Sequence, residues 1–370
     1  MGGYMRRSGK LFLAVFVTLA LTACGSSESL ESEADAAAQV IAEDVQEDPV
    51  QESSTQEELT AEPEEEEPAE APFVSEWATE DGSVVYMTDD ISSEGLMAVY
   101  QALGVEATGE NVAVKLSTGE PGSNYLDPAL IKELVQSVDG TIVECNTAYG
   151  GSKRKNTEMH MQVAEDHGFT AIANVDIMDA EGSISIPIEG GTHITEDFVG
   201  ANFPNYDYFV VLSHFKGHQM GGFGGAIKNI SIGIASSEGK AWIHTAGKSK
   251  TSMMDGVQDD FLESMAEAGK GVVDSLDGNI LYINVMNKLS VDCDCSKHPA
   301  APEVADIGIL ASLDPVALDQ ACVDLIYEKK EEGAASLINR IEQRNGLLTL
   351  EHAAEIGLGS RAYQLVKIDD

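Results

Sequence analysis

The stretch Val112–Cys145, VAVKLSTGEPGSNYLDPALIKELVQSVDGTIVEC, decides the fold. VAVKL, Val112 to Leu116, has the short, apolar and β-branched character of a buried strand. LDPALIKELVQSV, from Leu126, repeats apolar residues at helical spacing and opens on Asp127 and Pro128, both suited to a helix start. TIVEC, from Thr141, returns to strand. Strand, helix and strand in this order make a parallel pair, because parallel neighbours need a crossover and a helix supplies it.

The same alternation extends outward. A helix is expected from Asn156 to His167, closed by Gly168, and TAIANVDIM from Thr170 reads as strand. SISIPI from Ser183 suits a small hairpin or edge strand, since Pro187 cannot donate to a central ladder. YFVVLSHF, from Tyr208, is the most apolar strand of all. VQDDFLESMAEAGKGVVDSL from Val257 is an amphipathic helix, NILYINVM from Asn279 and ADIGILAS from Ala305 are strands, and Asp314-Pro315 opens a helix through Tyr327. Helical LINRIEQRN and strand-like YQLVKI close the chain. The pattern predicts an α/β fold with a largely parallel sheet and helices on both faces, in a length that accommodates one large domain or two subdomains. Ligands of such sheets gather at the carboxyl ends of strands, where Cys145, His214, Cys293 and Asp314 fall.

Upstream the chemistry changes. Met5, Arg6, Arg7 and Lys10 precede the apolar run LFLAVFVTLAL, which ends on LTAC, Leu21 to Cys24. This is the layout of a lipoprotein signal peptide over residues 1–23, with Cys24 as the lipidated first residue of the mature chain; the alternative is an uncleaved anchor. The run is shorter than the roughly 20 residues of a membrane-spanning helix. The expected location is therefore extracytoplasmic, lipid-anchored to the cell membrane through Cys24. Residues 24–77 form an acidic linker centred on EPEEEEPAE, with 18 of the 63 acidic residues between 25 and 77 and no Lys or Arg there. Such a segment buries too little apolar surface to offset its ordering entropy and is expected to be a disordered spacer ahead of the α/β domain, residues 78–370. The whole chain carries a net charge of −41, which argues against nucleic acid as a partner.

Chemistry-bearing residues concentrate in four places. SHFKGHQMGGFGGAIKN, Ser213 to Asn229, joins His214, Lys216, His218 and Lys228 to the glycines Gly221, Gly222, Gly224 and Gly225. The glycines let a backbone approach a ligand closely, and the lysines supply charge for an anion. The run is neither a Walker A loop nor a dinucleotide fingerprint, and a plain tight turn is the competing reading. Cys293-Asp294-Cys295 brings soft ligands that suit a metal ion or an iron–sulfur centre; the alternative is a pair of oxidised or structural thiols. With Cys24 lipidated, four cysteines remain, too few for a disulfide scaffold. Asp314 is placed either to cap its helix or to bind a ligand. Lys153, Arg154 and Lys155 form a basic run that can hold an anion or simply face solvent, and His160 fits a packed histidine.

CNTAYGGSKRKNTEMH, SHFKGHQMGGFGGAIKN with GIASSEGK, INVMNKLSVDCDC and DIGILASLDPVALDQACVDL together resemble the domain of unknown function 362 family, uncharacterised iron–sulfur-centre-type proteins, from about Ser83 onward. The resemblance implies the fold more than an activity. Many members carry a ferredoxin module with CxxCxxCxxxCP repeats after the segment equivalent to GKAWIHTAGKSK; here KTSMMDGVQDD stands in that interval without a cysteine. A cluster would then have only Cys293, Cys295 and Cys145 for support. A more distant likeness is to the lactate racemase family, whose members hold a nickel pincer cofactor with histidines and a lysine, and it singles out His214, His218 and Lys228.

The expected function is a metal- or redox-linked enzyme acting on a small anionic substrate. His214, His218 and Lys228 would be catalytic; Lys216, Arg154, Asp314 and the four glycines would bind ligand; Cys293 and Cys295 would hold metal. The alternative is a lipoprotein that captures a small ligand in the same crevice without chemistry.

Overall fold

Eight strands of the computed structural model lie in one sheet, in the order β12-β1-β11-β10-β7-β2-β3-β4. The structure describes residues 73–368; the signal peptide, Cys24 and the linker up to residue 72 lie outside the described residues. The strands of the deciding stretch are β2 (Val112–Lys115) and β3 (Thr141–Glu144), and α2 (Pro128–Ser137) crosses between them. Asp127 caps α2 by accepting from Ala129 N–H at 2.8 Å, as its sequence position predicts. Ahead of them run β1 (Ala78–Thr88) and α1 (Ser93–Ala102), and after them α3 (Thr157–Asp166) and β4 (Val175–Ile177).

β4 is shorter than the strand expected from Thr170. Gly168 takes the left-handed conformation, with φ 87°, and a 3-10 turn over Phe169–Ala171 drops Phe169 fully into the core. Packing of one aromatic ring thus overrides the strand-like composition of that segment. β5 (Ser183–Pro187) and β6 (Glu196–Gly200) make a separate antiparallel pair, which tolerates Pro187. β7 (Tyr208–His214) is buried through its first six residues and leads into a second small pair, β8 (Lys216–His218) with β9 (Gly222–Gly224). Then follow α4 (Ala226–Ile230), α5 (Ser237–His244), α6 (Gln258–Ser275), β10 (Ile280–Met286), β11 (Gly308–Ser312), α7 (Pro315–Glu328), α8 (Ala335–Gln343), α9 (Leu348–Glu355) and β12 (Tyr363–Lys367).

β2 pairs in parallel with β3 and β7, β3 with β4, β7 with β10, and β1 with β12. Only β11 is reversed, antiparallel to both β10 and β1. Side chains alternate between two cores as the pleat requires. Val114, Val210, Leu212 and Ile283 meet Leu96 and Val99 of α1 and Ile131 and Leu134 of α2. Ala113, Phe209, Val211 and Tyr282 meet Ile227 of α4, Ala266 of α6 and Val316 of α7. Helices therefore cover both faces, and the described residues belong to one compact unit, Ala69–Asp370. No helix among them is long and apolar enough to cross a membrane.

The order of strands creates one special place. From β2 the chain proceeds to β3 and β4 on one side, and later to β7 and β10 on the other. The loops leaving β2 and β7 consequently diverge, and the crevice between them opens at their carboxyl ends.

Candidate functional site

The glycine run sits at that crevice, but its backbone is already engaged. Asp319, from α7, accepts hydrogen bonds from the N–H groups of Ala226 (2.7 Å) and Ile227 (2.9 Å) and from Asn284 Nδ2 (2.7 Å). The anion at the start of α4 is therefore a side chain of the protein itself. A Cβ on Gly225 would lie 2.2 Å from Asp319 Oδ1, which is why glycine stands there. Gly222 has φ 80°, the region that favours glycine, at the turn of the hairpin. Burial pushes the Asp319 carboxyl up to about 6.

Around this loop the crevice is lined with cations that the sequence pattern left scattered. Lys115, at the end of β2, is wholly buried; its Nζ donates to Leu116 O (2.6 Å) and Asn229 Oδ1 (3.0 Å), with Glu144 Oε2 at 3.8 Å. Burial drags its pKa down to about 8 although Glu144 pulls the other way. Glu144 accepts from Thr118 N–H (2.5 Å), Thr118 Oγ1 (2.9 Å) and Arg154 Nη1 (3.1 Å). Burial opposes its charge, yet Lys115, Arg154 and His160 hold the carboxyl well below the usual range. Arg154 also reaches Glu120 Oε1 at 3.4 Å and Ser117 Oγ at 3.2 Å. Of the basic run only Arg154 turns inward; Lys153 and Lys155 are exposed. His160 packs behind, fully buried, beside Thr118 Oγ1 at 3.1 Å.

Lys228 is different. It is half-buried beside Gly224, and no hydrogen-bond partner for its Nζ occurs among the described residues. Burial, then the fields of Lys115, Arg154 and Lys240, bring its pKa down to about 8. Lys240, buried in α5, donates to Ala235 O. Asn229 Nδ2 donates to Lys115 O (3.2 Å), Leu212 O (3.2 Å) and Ser213 Oγ (3.0 Å), and so ties the ends of β2 and β7 together. Cys145 is buried here, away from the other cysteines, with its Sγ 3.2 Å from Ile234 O and its thiol pushed up to about 12 by burial.

On the β7 side Asp294 is the hub. Its carboxylate accepts from His214 Nδ1 (2.9 Å) and Lys216 Nζ (2.8 Å), and its backbone O accepts from Glu120 N–H (2.8 Å). Burial works against the Asp294 charge, but His214 and Lys216 keep its pKa below the ordinary value. His214 Nε2 lies 2.9 Å from Asn287 O. Both ring nitrogens thus face acceptors, a geometry satisfied by the doubly protonated ring. In this arrangement His214 has no lone pair to offer a metal.

His218 is buried, and its Nδ1 accepts from Gly221 N–H at 2.8 Å, so a neutral ring carries its proton on Nε2. Burial, and then nearby cations led by Lys228, hold its pKa well below the usual value, so the ring is neutral. It stands with Cys293 and Cys295 in a group whose potential ligand atoms all lie within 4.8 Å of one another. The two cysteines are bonded to each other as a disulfide. Oxidised, they offer no thiolate; reduced, two thiolates form a soft donor pair, which His218 would extend to a zinc-type set only after changing tautomer, with Nε2 freed and the Nδ1 bond to Gly221 given up.

Asp314 is placed elsewhere. Because β11 is reversed, its carboxyl end lies at the opposite end of the strands from the crevice. There Asp314 caps α7, accepting from the N–H groups of Val316 (2.9 Å), Ala317 (3.1 Å) and Ser360 (2.8 Å) and from Ser83 Oγ (2.8 Å). Structure thus gathers His214, Lys216, His218, Lys228, Arg154, the glycines and the cysteine pair, and leaves Asp314 apart. It adds Lys115, Glu144, Glu120, Lys240, Asp294 and Asp319. The one signal available for Lys115 and Glu144 was a charged residue inside an otherwise apolar strand, in VAVKL and TIVEC.

No curated protein matches the sequence. Among solved structures, the lactate racemase apoprotein from Thermoanaerobacterium thermosaccharolyticum is 15% identical with a TM-score of 0.39, covering 66% of this chain and 57% of that one. A protein from Thermotoga maritima is likewise 15% identical, with a TM-score of 0.35 and coverage of 71% and 58%. This chain spans less than two thirds of either. The family match is more extensive: residues 112–324, which contain the crevice and every residue that lines it, match the domain of unknown function described as DUF362, and the chain belongs to that family.

Proposed function

We propose that this protein is an extracytoplasmic, lipid-anchored enzyme that binds a small anion in the crevice between β2 and β7, beside a metal- or redox-active group of His218, Cys293 and Cys295. The observation that carries the reading is the convergence of Lys115, Arg154, Lys228 and Lys240 on one crevice in a chain of net charge −41. Lys115 and Arg154 are neutralised by Glu144 and Glu120; Lys228 has no ion pair among the described residues, so a ligand anion would complete its surroundings. With a pKa of about 8, Lys228 can also accept or return a proton near neutral pH. A metal bound by reduced Cys293 and Cys295, with His218 turned to its other tautomer, would supply Lewis acidity or electron transfer at the rim. Arg154 and Lys240 would orient the anion, and Asp319 would hold the loop that carries Lys228.

The test uses the full chain in detergent. Phosphate and oxalate should raise its melting temperature, Lys228→Met should abolish that rise, and elemental analysis after reduction should find a bound transition metal. No stabilisation by any anion in the wild type would overturn the reading. Capture without chemistry is the second reading, favoured by the complete engagement of the His214 ring; it requires anion binding with Lys228→Arg retaining full affinity.

A further inference from the structure

We propose that Cys293–Cys295 is a thiol–disulfide exchange site for a small or protein dithiol, and that its redox state is transmitted to the crevice through Asp294. The inference rests on the crevice reading above and adds its regulation. Both cysteines are half-exposed, so a reductant can reach the sulfurs, whereas Cys145 and Cys322 are buried. His218 lies beside the pair. With its Nδ1 accepting from Gly221 N–H, the neutral ring carries its proton on Nε2 and can donate to a thiolate as it forms.

A thiolate of the dithiol attacks one Sγ, the Sγ–Sγ bond breaks, and its electron pair leaves on the other cysteine as thiolate. The second thiol of the reductant then displaces the mixed disulfide. The dithiol is oxidised by two electrons to its own disulfide, and Cys293 and Cys295 are left as two thiols that carry the two protons.

What singles this pair out is the residue inside its ring. Asp294 is enclosed by the bond between its two neighbours, and its carboxylate holds His214 and Lys216 while its backbone O holds Glu120. Glu120 in turn anchors Arg154. Opening the ring releases the backbone of Asp294 and loosens both sets of contacts, so the oxidised form presents a fixed cation array and the reduced form a metal-binding dithiol.

The full chain in detergent, equilibrated with dithiothreitol and then treated with iodoacetamide without denaturant, should gain two adducts, on Cys293 and Cys295. Reoxidation with diamide before alkylation should prevent both. With glutathione disulfide, Cys293→Ser or Cys295→Ser should each trap one glutathione on the remaining thiol and release the other as its thiol. Reduction should shift the ring resonances of His214 in a histidine-labelled sample, and Asp294→Ala should remove that redox dependence. Failure of native dithiothreitol to open the disulfide, or reduction that leaves His214 unmoved, would overturn the proposal. Phosphate stabilisation measured on both redox forms separates the two readings: its absence from both removes the anion site and leaves the thiol counts standing.

Discussion

Replacing Glu144 by Gln tests the charge network of the crevice most directly. Glu144 is the carboxylate that faces Lys115 among the described residues, at 3.8 Å, while Arg154 keeps Glu120. The amide retains an acceptor for Thr118 but leaves Lys115, wholly buried, without a counter-charge. Removing one partner of a buried pair costs about 3–5 kcal/mol; with Arg154 still paired, the lower end, about 3 kcal/mol, is expected. The pH dependence is specific. Glu144 titrates well below the ordinary 4.5 when folded, so its stabilisation is present above that value and is lost as the pH falls through the folded pKa. Lys115 titrates at about 8 rather than 10.5, so above about 8 the folded state sheds its proton before the unfolded chain does and the uncompensated charge disappears. The penalty should therefore peak near pH 6 and shrink by about half or more by about pH 9. Denaturant unfolding of the full chain and the variant across this range reads it. Adding Lys115→Met to Glu144→Gln should recover about 2 kcal/mol, because the double variant buries no orphaned charge. A penalty independent of pH, or a double variant as unstable as the sum of the singles, would refute the reasoning.

Other outcomes follow from the same contacts. Lys228→Met should leave the ligand-free protein as stable or slightly more so, by about 0–1 kcal/mol, since it removes a half-buried cation without a hydrogen-bond partner among the described residues; thermal denaturation without added anions reads this, and a loss above about 2 kcal/mol would contradict it. Gly225→Ala, whose Cβ would fall 2.2 Å from Asp319 Oδ1, should destabilise by at least about 2 kcal/mol, as should Asp319→Ala, and the double variant should cost far less than their sum. Independently of these contacts, the wild-type chain should incorporate labelled fatty acid and lose residues 1–23, whereas Cys24→Ser should take up no label and keep the longer, uncleaved form; a wild type that is unlabelled and uncleaved would refute the lipid anchor.

The sequence by itself determined the architecture, because the deciding information is local. Apolar periodicity switching between strand and helix, Asp127 and Asp314 at helix starts, and Gly168 at a helix end each act over a few residues, and the observed elements follow them. The motif residues His214, Lys216, His218 and Lys228 were legible for the same reason, being packed into one short segment. Tertiary structure alone decided what those residues do. Reversal of β11 is set by pairing across the sheet, and it carries Asp314 away from the crevice. Asp319 meets the start of α4 across 93 residues and Lys115 meets Asn229 across 114, distances over which no periodicity speaks. The engagement of both His214 nitrogens depends on Asp294 and Asn287 arriving from a different loop. A charged side chain in an apolar strand announces only that its burial must be compensated; which partner compensates it is settled when the strands assemble.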